Sequence, residues 1–120
     1  MKRSSVDIGK TAEDTARKHL EQSGYSLIKA NFHSRFGEID LVMRNATILV
    51  FVEVRYRTST SYGTPAETIG VGKLRRIIRT AEYFLLMNPR FTDLEMRFDV
   101  VSLSEQLEWI QGAFTLNDIA

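Results

Sequence analysis

Two stretches of the chain carry apolar residues at the spacing of a helix. An apolar or small side chain recurs every four residues from Ile8 to Leu20, and Gly24 follows as a helix stop. This pattern predicts a first helix over about residues 6–22. A second helix is predicted over residues 73–87, where the sequence NPR ends it. Its apolar positions are Leu74, Ile77, Ile78, Ala81, Phe84 and Leu85.

The remaining apolar segments are short and rich in residues typical of strands. Five strands are predicted: YSLIKANF (25–32), FGEIDLVM (36–43), ILVFVEVRYR (48–57), LEMRFDVVSL (94–103) and QLEWIQGAF (106–114). Before the second long helix, Thr64, Pro65 and Glu67 fit a capping box at a helix start. The order of elements predicts an α/β or α+β domain, with a mixed β-sheet flanked by two main helices.

Composition narrows the class of protein without identifying a partner. The chain has 120 residues, no cysteine and a net charge of +1, so we expect one domain over residues 1–120 and no thiolate metal site. His19 and His33 are too few for a conventional zinc site. The N-terminus is basic but lacks the apolar region of a signal peptide. The longest apolar run, residues 48–52, is far too short to span a membrane. We therefore expect a cytoplasmic protein without a membrane partner.

Several enzyme classes are disfavoured by missing motifs. The sequence has no Walker-type phosphate loop, no GxSxG and no Cys–His pair, which argues against NTPases and acyl-transfer hydrolases.

The segment GEIDLVMRNATILVFVEVRYR (37–57) places two carboxylates and a guanidinium within apolar strands. Glu53 and Arg55 share a face because side chains alternate along a strand. If the RNAT turn has an even length, Asp40 lies on that face too, roughly 5 to 8 Å from Glu53. Two carboxylates at that separation can bind one Mg²⁺ ion. An odd length would put Asp40 on the opposite face.

A second interpretation of these acids stays open at this point. Asp40 and Glu53 can instead form ordinary ion pairs with Arg55, Arg57 or Arg35, and the spacing alone does not decide between a metal site and ion pairs.

The same residues carry a resemblance to a known group of nucleases. The segment GEIDLVM…VFVEVRYR resembles the acid–x(n)–ExK signature of the PD-(D/E)xK nuclease superfamily. GEIDL, VFVEVR, YGTPAETIGVGKLRRI and the late RFDVV resemble the UPF0102 (YraN-like) family of small predicted endonucleases, over roughly residues 7–110. The resemblance implies a restriction-endonuclease-like core.

The resemblance also implies a set of site residues and a cofactor. Asp40 and Glu53 would be ligands of Mg²⁺ (or Mn²⁺), with the backbone carbonyl of Val54 as a third ligand. Glu13 is the position that matches a glutamate of the first helix in many superfamily members, with Asp14 as a less favoured neighbour.

Position 55 departs from the superfamily pattern, because Arg55 stands where the signature has lysine. Arginine stays protonated and cannot act as a general base, but it can bind phosphate through two parallel hydrogen bonds. Together with Arg55, the residues that we expect to contact nucleic acid are Arg57, Lys73, Arg76 and Arg35.

Other conspicuous residues have a structural interpretation. Asp99 interrupts an apolar strand and is expected to be an anchor that pairs with Arg97 or with a backbone turn. Trp109 and most of the phenylalanines are expected in the core, and nothing in the sequence indicates a platform for stacking bases.

Three functional hypotheses follow. The first is a metal-dependent endonuclease that hydrolyses phosphodiester bonds in DNA, with structured or branched DNA as a candidate substrate; a homodimer would suit such a substrate, because two symmetric cuts need two sites. The second is a non-catalytic nucleic-acid-binding module of the same fold, with Arg55 as a phosphate clamp. The third is an interaction protein without a nucleic-acid partner.

Overall fold

A computed structural model describes residues 5–57 and 69–119 of the chain, with side chains from residues 8–57 and 69–118. The predicted capping box at Thr64, Pro65 and Glu67 lies outside the described residues. Two long helices are present, α1 (Ser5–Gln22) and α2 (Val71–Met87). The five strands are β1 (Ser26–Ser34), β2 (Gly37–Arg44), β3 (Ile48–Tyr56), β4 (Glu95–Leu103) and β5 (Leu107–Phe114). Short 3₁₀ turns cover Pro89–Phe91 and Leu116–Ile119.

The predicted order of elements is confirmed. The strands form one mixed sheet in the order β1-β2-β3-β4-β5, in which β3 and β4 are parallel and the other neighbours are antiparallel. The parallel pair requires a crossover connection, and α2 lies within that connection. The second helix begins at Val71, two residues before its predicted start, with Gly70 as the residue that precedes it.

The two helices cover opposite faces of the sheet. Ala16 and Leu20 of α1 pack with Val50 and Val52 of β3. The alternate residue Phe51 belongs to a second cluster on the face of α2. In that cluster, α2 contributes Leu74, Ile77, Ile78, Ala81 and Phe84. The fold is therefore an α/β arrangement of three layers, and the side chains of β2 and β3 alternate between the two helices.

The turn between β2 and β3 settles the relative orientation of the two carboxylates. Arg44 pairs with Leu49, so four residues, 45–48, connect the last paired positions. The Asn45 side chain accepts hydrogen bonds from the backbone N–H groups of Thr47 (3.0 Å) and Ile48 (2.8 Å) and closes the turn. The length is even, which is the condition under which Asp40 and Glu53 share a face.

A close contact holds the β1–β2 turn against α2. The hydroxyl of Thr80 donates to the carbonyl of Arg76 (2.7 Å), and the Ser34 hydroxyl donates to Thr80 Oγ1 (3.3 Å). Gly37 has a φ of 151°, and a Cβ atom built on it would lie 3.4 Å from Cβ of Arg76. The turn approaches the helix closely at this point because residue 37 has no side chain.

Within the described part of the chain, no helix is both long enough and apolar enough to cross a membrane.

Candidate metal and phosphate site

Asp40 and Glu53 converge in one cleft at the end of the β2–β3 ladder. Leu41 pairs with Val52, so the next positions along the two strands are Asp40 and Glu53. Their exposed fractions are 9% and 8%. Both side chains line a cleft of about 170 Å³ on the α2 face of the sheet, where unpaired charge is costly.

The backbone of Val54 completes this end of the ladder. Its N–H donates to Oδ2 of Asp40 at 2.8 Å, so a side-chain oxygen replaces the strand acceptor that regular pairing would supply. In an extended strand, the N–H and C=O groups of one residue face the same neighbouring strand. The Val54 carbonyl is therefore directed toward the β2 side, where Asp40 lies.

The surroundings of Asp40 disfavour the charged form of its side chain. Burial, and after it the charge of Glu53, raise the pKa of Asp40 from its ordinary value of 3.8 to about 8. The Val54 N–H lowers the pKa, and the more distant charges of Glu13 and Glu38 add small upward contributions. The carboxylate form of Asp40 is consequently disfavoured unless a cation enters the cleft.

The opposite wall of the cleft is cationic and comes from the first turns of α2. Lys73 Nζ lies 2.5 Å from Oε1 of Glu53, and the Lys73 side chain is about 44% exposed. Arg76 lines the same cleft one turn further along the helix. The full set of lining residues is Gly37, Glu38, Asp40, Glu53, Lys73, Arg76 and Ile77.

Glu13 approaches the carboxylate pair from α1 without joining it directly. Burial raises the pKa of Glu13, a hydrogen bond from the Asn31 side chain lowers it, and the charges of Glu38, Asp14 and Glu53 raise it. Among the described residues, no three side chains of His, Cys, Asp or Glu are grouped so that they could hold a metal ion. The role of Glu13 as a metal ligand stays a prediction.

Sequence reasoning missed Asn31 and Glu38. Asn31 lies opposite Asp40 in the β1–β2 register, between the pairs made by Ala30 and Phe32, and adopts a φ of 51°. Asparagine tolerates this left-handed conformation better than most residues. Glu38 lines the cleft and pairs with His33, whose Nδ1 lies 3.1 Å from Oε2. The signal that could have indicated Asn31 is a polar residue within the apolar alternation of the first strand.

The remaining predicted phosphate contacts lie around the cleft rather than in its lining. Arg55 is half-buried; burial lowers its pKa, repulsion from Arg57 lowers it further, and Glu53 opposes both. Arg57 follows β3, and its backbone N–H donates to the Leu103 carbonyl at 2.7 Å. Arg35 is exposed on the β1–β2 turn, with its guanidinium carbon 4.9 Å from the centre of the Phe36 ring.

Asp99 is a structural anchor, and its predicted pairing with Arg97 is confirmed. Its carboxylate accepts two hydrogen bonds from Arg97 at 2.8 Å, one from Trp109 Nε1 at 2.9 Å and one from the Gly112 N–H at 3.0 Å. Arg97 also donates to the Tyr25 hydroxyl. This network lies on the α1 side of the sheet, away from the cleft.

The donors in the cleft suit a small hard cation. Mg²⁺ is commonly bound by one or two carboxylates and keeps several waters, which substrate phosphates can replace. Asp40 and Glu53 would supply two carboxylates from adjacent strands, and the Val54 carbonyl, directed toward the β2 side, would supply a neutral oxygen. The residues present therefore fit Mg²⁺ or Mn²⁺ without a third carboxylate.

Comparison with known proteins places the chain in a family. The profile of "Uncharacterised protein family UPF0102" matches residues 12–103. A UPF0102 protein of Saccharophagus degradans is 42% identical over 113 residues, which cover 93% of this chain and 96% of that protein. A UPF0102 protein of Dechloromonas aromatica is 46% identical over 111 residues, covering 92% and 90%. The family match extends from within α1, through the two carboxylate strands and α2, to the end of β4, and on this basis the chain belongs to the UPF0102 family.

Proposed function

We propose that this protein is a metal-dependent endonuclease that hydrolyses phosphodiester bonds in DNA, with structured or branched DNA as its candidate substrate. One observation carries the proposal: two buried carboxylates from adjacent strands, Asp40 and Glu53, face two cationic side chains of α2, Lys73 and Arg76, across a single cleft.

The arrangement of charge explains why a nuclease fits better than a site for a cation alone. A site for a cation alone needs only acidic and neutral ligands, and a basic wall would lower its affinity. A site that brings a cation and a phosphate together needs both signs of charge a few ångströms apart. The ion pair between Lys73 and Glu53 shows that the two walls are within contact distance.

We assign the following roles to the residues of the cleft and its surroundings. Asp40, Glu53 and the Val54 carbonyl would hold Mg²⁺ or Mn²⁺, with Glu13 as a further acidic group nearby. When bound, such an ion polarises a phosphate and makes hydroxide available from water at neutral pH. Lys73 and Arg76 would bind the phosphate oxygens from the α2 side, and Arg55, always protonated, would stabilise negative charge that develops beside Glu53.

The proposal includes membership of the PD-(D/E)xK superfamily and a restriction-endonuclease-like core. It is supported by the mixed sheet, by the position of both acids on adjacent strands and by the crossover helix that supplies basic residues. A cytoplasmic location and a homodimer remain predictions.

One specific observation favours the alternative of a binding module without turnover. Position 55 holds arginine, and the lysine that contacts Glu53 comes from α2. If Lys73 keeps this ion pair when DNA binds, it excludes the cation, and Arg55 then acts as a phosphate clamp rather than as part of a hydrolase.

A cleavage panel separates the two functions. Linear, flapped and four-way DNA are incubated with the protein in Mg²⁺ or Mn²⁺, alongside Glu53→Gln and the matched control Glu105→Gln, which alters an exposed residue in the β4–β5 turn. The proposal expects cleavage by the wild type and by Glu105→Gln, and loss of cleavage in Glu53→Gln. Salt-sensitive DNA binding without cleavage in either metal would support the binding module.

A further inference from the structure

A second, larger groove adjoins the cleft along the same side of α2. Its volume is about 650 Å³, and it is lined by Arg35, Phe36, Arg79, Glu82, Tyr83 and Leu86. The linings of the two cavities are neighbours, because Phe36 precedes the cleft residue Gly37 and Arg79 lies one helical turn after the cleft residue Arg76. A strand of nucleic acid that leaves the cleft along α2 therefore enters this groove.

The groove combines flat and cationic side chains at the protein surface. The guanidinium of Arg35 lies over the Phe36 ring, 4.9 Å from its centre. The Phe36 and Tyr83 rings lie 6.5 Å apart at an angle of 64°. Five of the seven phenylalanines are buried, whereas Phe36 is half-buried and lines this opening. Nothing in the sequence indicated that these side chains lie together.

The spacing of basic residues on α2 matches a nucleic-acid backbone. Lys73, Arg76 and Arg79 recur every three residues, which corresponds to about 4.5 Å of helix rise per step and about 9 Å from the first to the last. At about 3.4 Å of rise per nucleotide in a stacked strand, this distance spans two to three nucleotides. A phosphate held at Arg76, about 4.5 Å of helix rise before Arg79, therefore places the next one or two nucleotides beside Arg79.

The acidic member of the groove favours a base over another phosphate. Glu82 also lines the groove. A carboxylate repels phosphate but accepts a hydrogen bond from the exocyclic amino group of cytosine, and adenine and guanine carry similar donors. Leu86, about 76% exposed, adds an apolar surface at the far end. The charges and the flat side chains together suit one nucleotide, with its phosphate at Arg79 and its base among the flat side chains.

We propose that this groove, lined by Arg35, Phe36, Arg79, Glu82, Tyr83 and Leu86, binds an unpaired nucleotide of single-stranded DNA one or two positions from the phosphate held in the cleft. A base inside a duplex is stacked on both sides and cannot reach the rings, whereas an unstacked base binds readily to aromatic or guanidinium planes. The inference rests on the proposed function for the position of the cleft phosphate, and it specifies the substrate as DNA with an unpaired segment next to that phosphate.

The test measures single-strand and duplex binding without cleavage. Fluorescence anisotropy in EDTA compares a labelled single strand of mixed sequence with the matching duplex, for wild type, Tyr83→Leu and Arg35→Ala. Loss of one stacked base weakens binding by about five- to 150-fold. We expect a loss in that range for the single strand with Tyr83→Leu, and little change for the duplex.

Arg90→Ala is the matched control for Arg35→Ala. Arg90 is also an exposed arginine over its neighbouring phenylalanine, 4.6 Å from the ring centre of Phe91. Phe91 also contacts Arg44, at the end of β2 about 24 Å from Gly37. We expect Arg90→Ala to bind both DNA forms like the wild type. Thermal melting of each variant shows that it is folded.

Photocrosslinking of a strand with one 5-bromodeoxyuridine locates the base independently of affinity. The inference expects crosslinks at Tyr83 or Phe36. It is overturned if crosslinks map elsewhere, if Tyr83→Leu weakens binding of single strand and duplex equally, or if single-stranded DNA does not bind. In the last of these cases, the exposed Leu86 surface would suit a protein partner instead.

The outcome is separable from that of the proposed function. Crosslinks at Tyr83 without cleavage of any substrate would retain the groove and remove the hydrolase. Cleavage that Glu53→Gln abolishes, combined with unchanged single-strand binding by Tyr83→Leu, would retain the hydrolase and remove the groove.

Discussion

Replacing Asp40 with asparagine should stabilise the metal-free protein at neutral pH. Asp40 is 9% exposed, and burial followed by the charge of Glu53 raises its pKa to about 8. A carboxyl group with a raised pKa in the folded state contributes most to stability below its unfolded pKa, and this contribution is lost as the pH rises toward the folded pKa. Asparagine keeps an oxygen that can accept the Val54 N–H but carries no charge.

The size of the effect follows from the two pKa values. Each pKa unit of difference corresponds to about 1.4 kcal/mol, so the penalty between pH 4 and pH 7 has an upper bound of about 4 kcal/mol. Local relaxation and entry of water reduce such penalties, and we expect the variant to exceed the wild type at pH 7 by about 2–4 kcal/mol. For a chain of this length, that difference raises the melting temperature by roughly 6–15 °C.

Urea unfolding in EDTA, followed through the fluorescence of Trp109, measures this difference between pH 4 and pH 8. Trp109 is the single tryptophan of the chain. Asp93→Asn, which alters an exposed carboxylate, is the control and should change stability by less than about 0.5 kcal/mol. The free energies of unfolding of wild type and Asp40→Asn should be similar near pH 4 and diverge as the pH rises.

Parallel pH profiles, or a variant less stable than the wild type at pH 7, would refute the reasoning. Addition of millimolar Mg²⁺ extends the test. A bound cation favours the ionised carboxylates, so Mg²⁺ should stabilise the wild type and leave Asp40→Asn nearly unchanged.

Three further substitutions test other parts of the structure. Lys73→Gln removes the ion pair of Glu53 and should lower the free energy of unfolding in EDTA by about 0.5–1 kcal/mol. The rise in melting temperature on addition of Mg²⁺ should be larger than in wild type, because the Lys73 ammonium no longer competes with the ion. Asp99→Asn should destabilise by about 3–5 kcal/mol in urea unfolding, because it leaves the Arg97 charge without its carboxylate. Gly37→Ala should destabilise by about 1–3 kcal/mol in the same assay, because alanine is strained at a φ of 151° and its Cβ crowds α2; a cost below 0.5 kcal/mol would contradict the close contact.

The elements of the fold were predictable because their signals are local. The fourfold spacing from Ile8 to Leu20 lies within one helix, and the run around Phe51 lies within one strand. Their ends shift by a few residues, as at Val71, because caps and neighbouring turns set boundaries that periodicity does not determine. Whether Asp40 and Glu53 share a face depended on whether the β2–β3 turn has an even or an odd number of residues. The sequence left this open, and the hydrogen bonds of Asn45 stabilise a turn of even length.

The surroundings of the acids were not predictable, because they come from distant parts of the chain. Lys73 meets Glu53 only through the crossover that carries α2 over the sheet, and twenty positions separate the two residues in sequence. Asn31 reaches the site through the β1–β2 register and an unusual φ. Phe36 lines a groove rather than the core because the β1–β2 turn lies at the edge of α2. Apolar patterning indicates that a residue makes contacts within the protein, but the topology determines which residues it contacts.

A comparison of the two buried aspartates of the sheet shows why the cleft around Asp40, rather than the hydrogen-bonded network around Asp99, is the candidate site. Asp99 is completely buried and accepts four hydrogen bonds, two of them from Arg97, so its charge is neutralised within the protein. Among the described residues, Asp40 accepts a hydrogen bond from the Val54 N–H and lies beside the carboxylate of Glu53. The same substitution, aspartate to asparagine, should therefore lower stability at position 99 and raise it at position 40. Burial of Asp40 beside Glu53 therefore costs stability, and a bound cation that favours the ionised carboxylates would offset this cost.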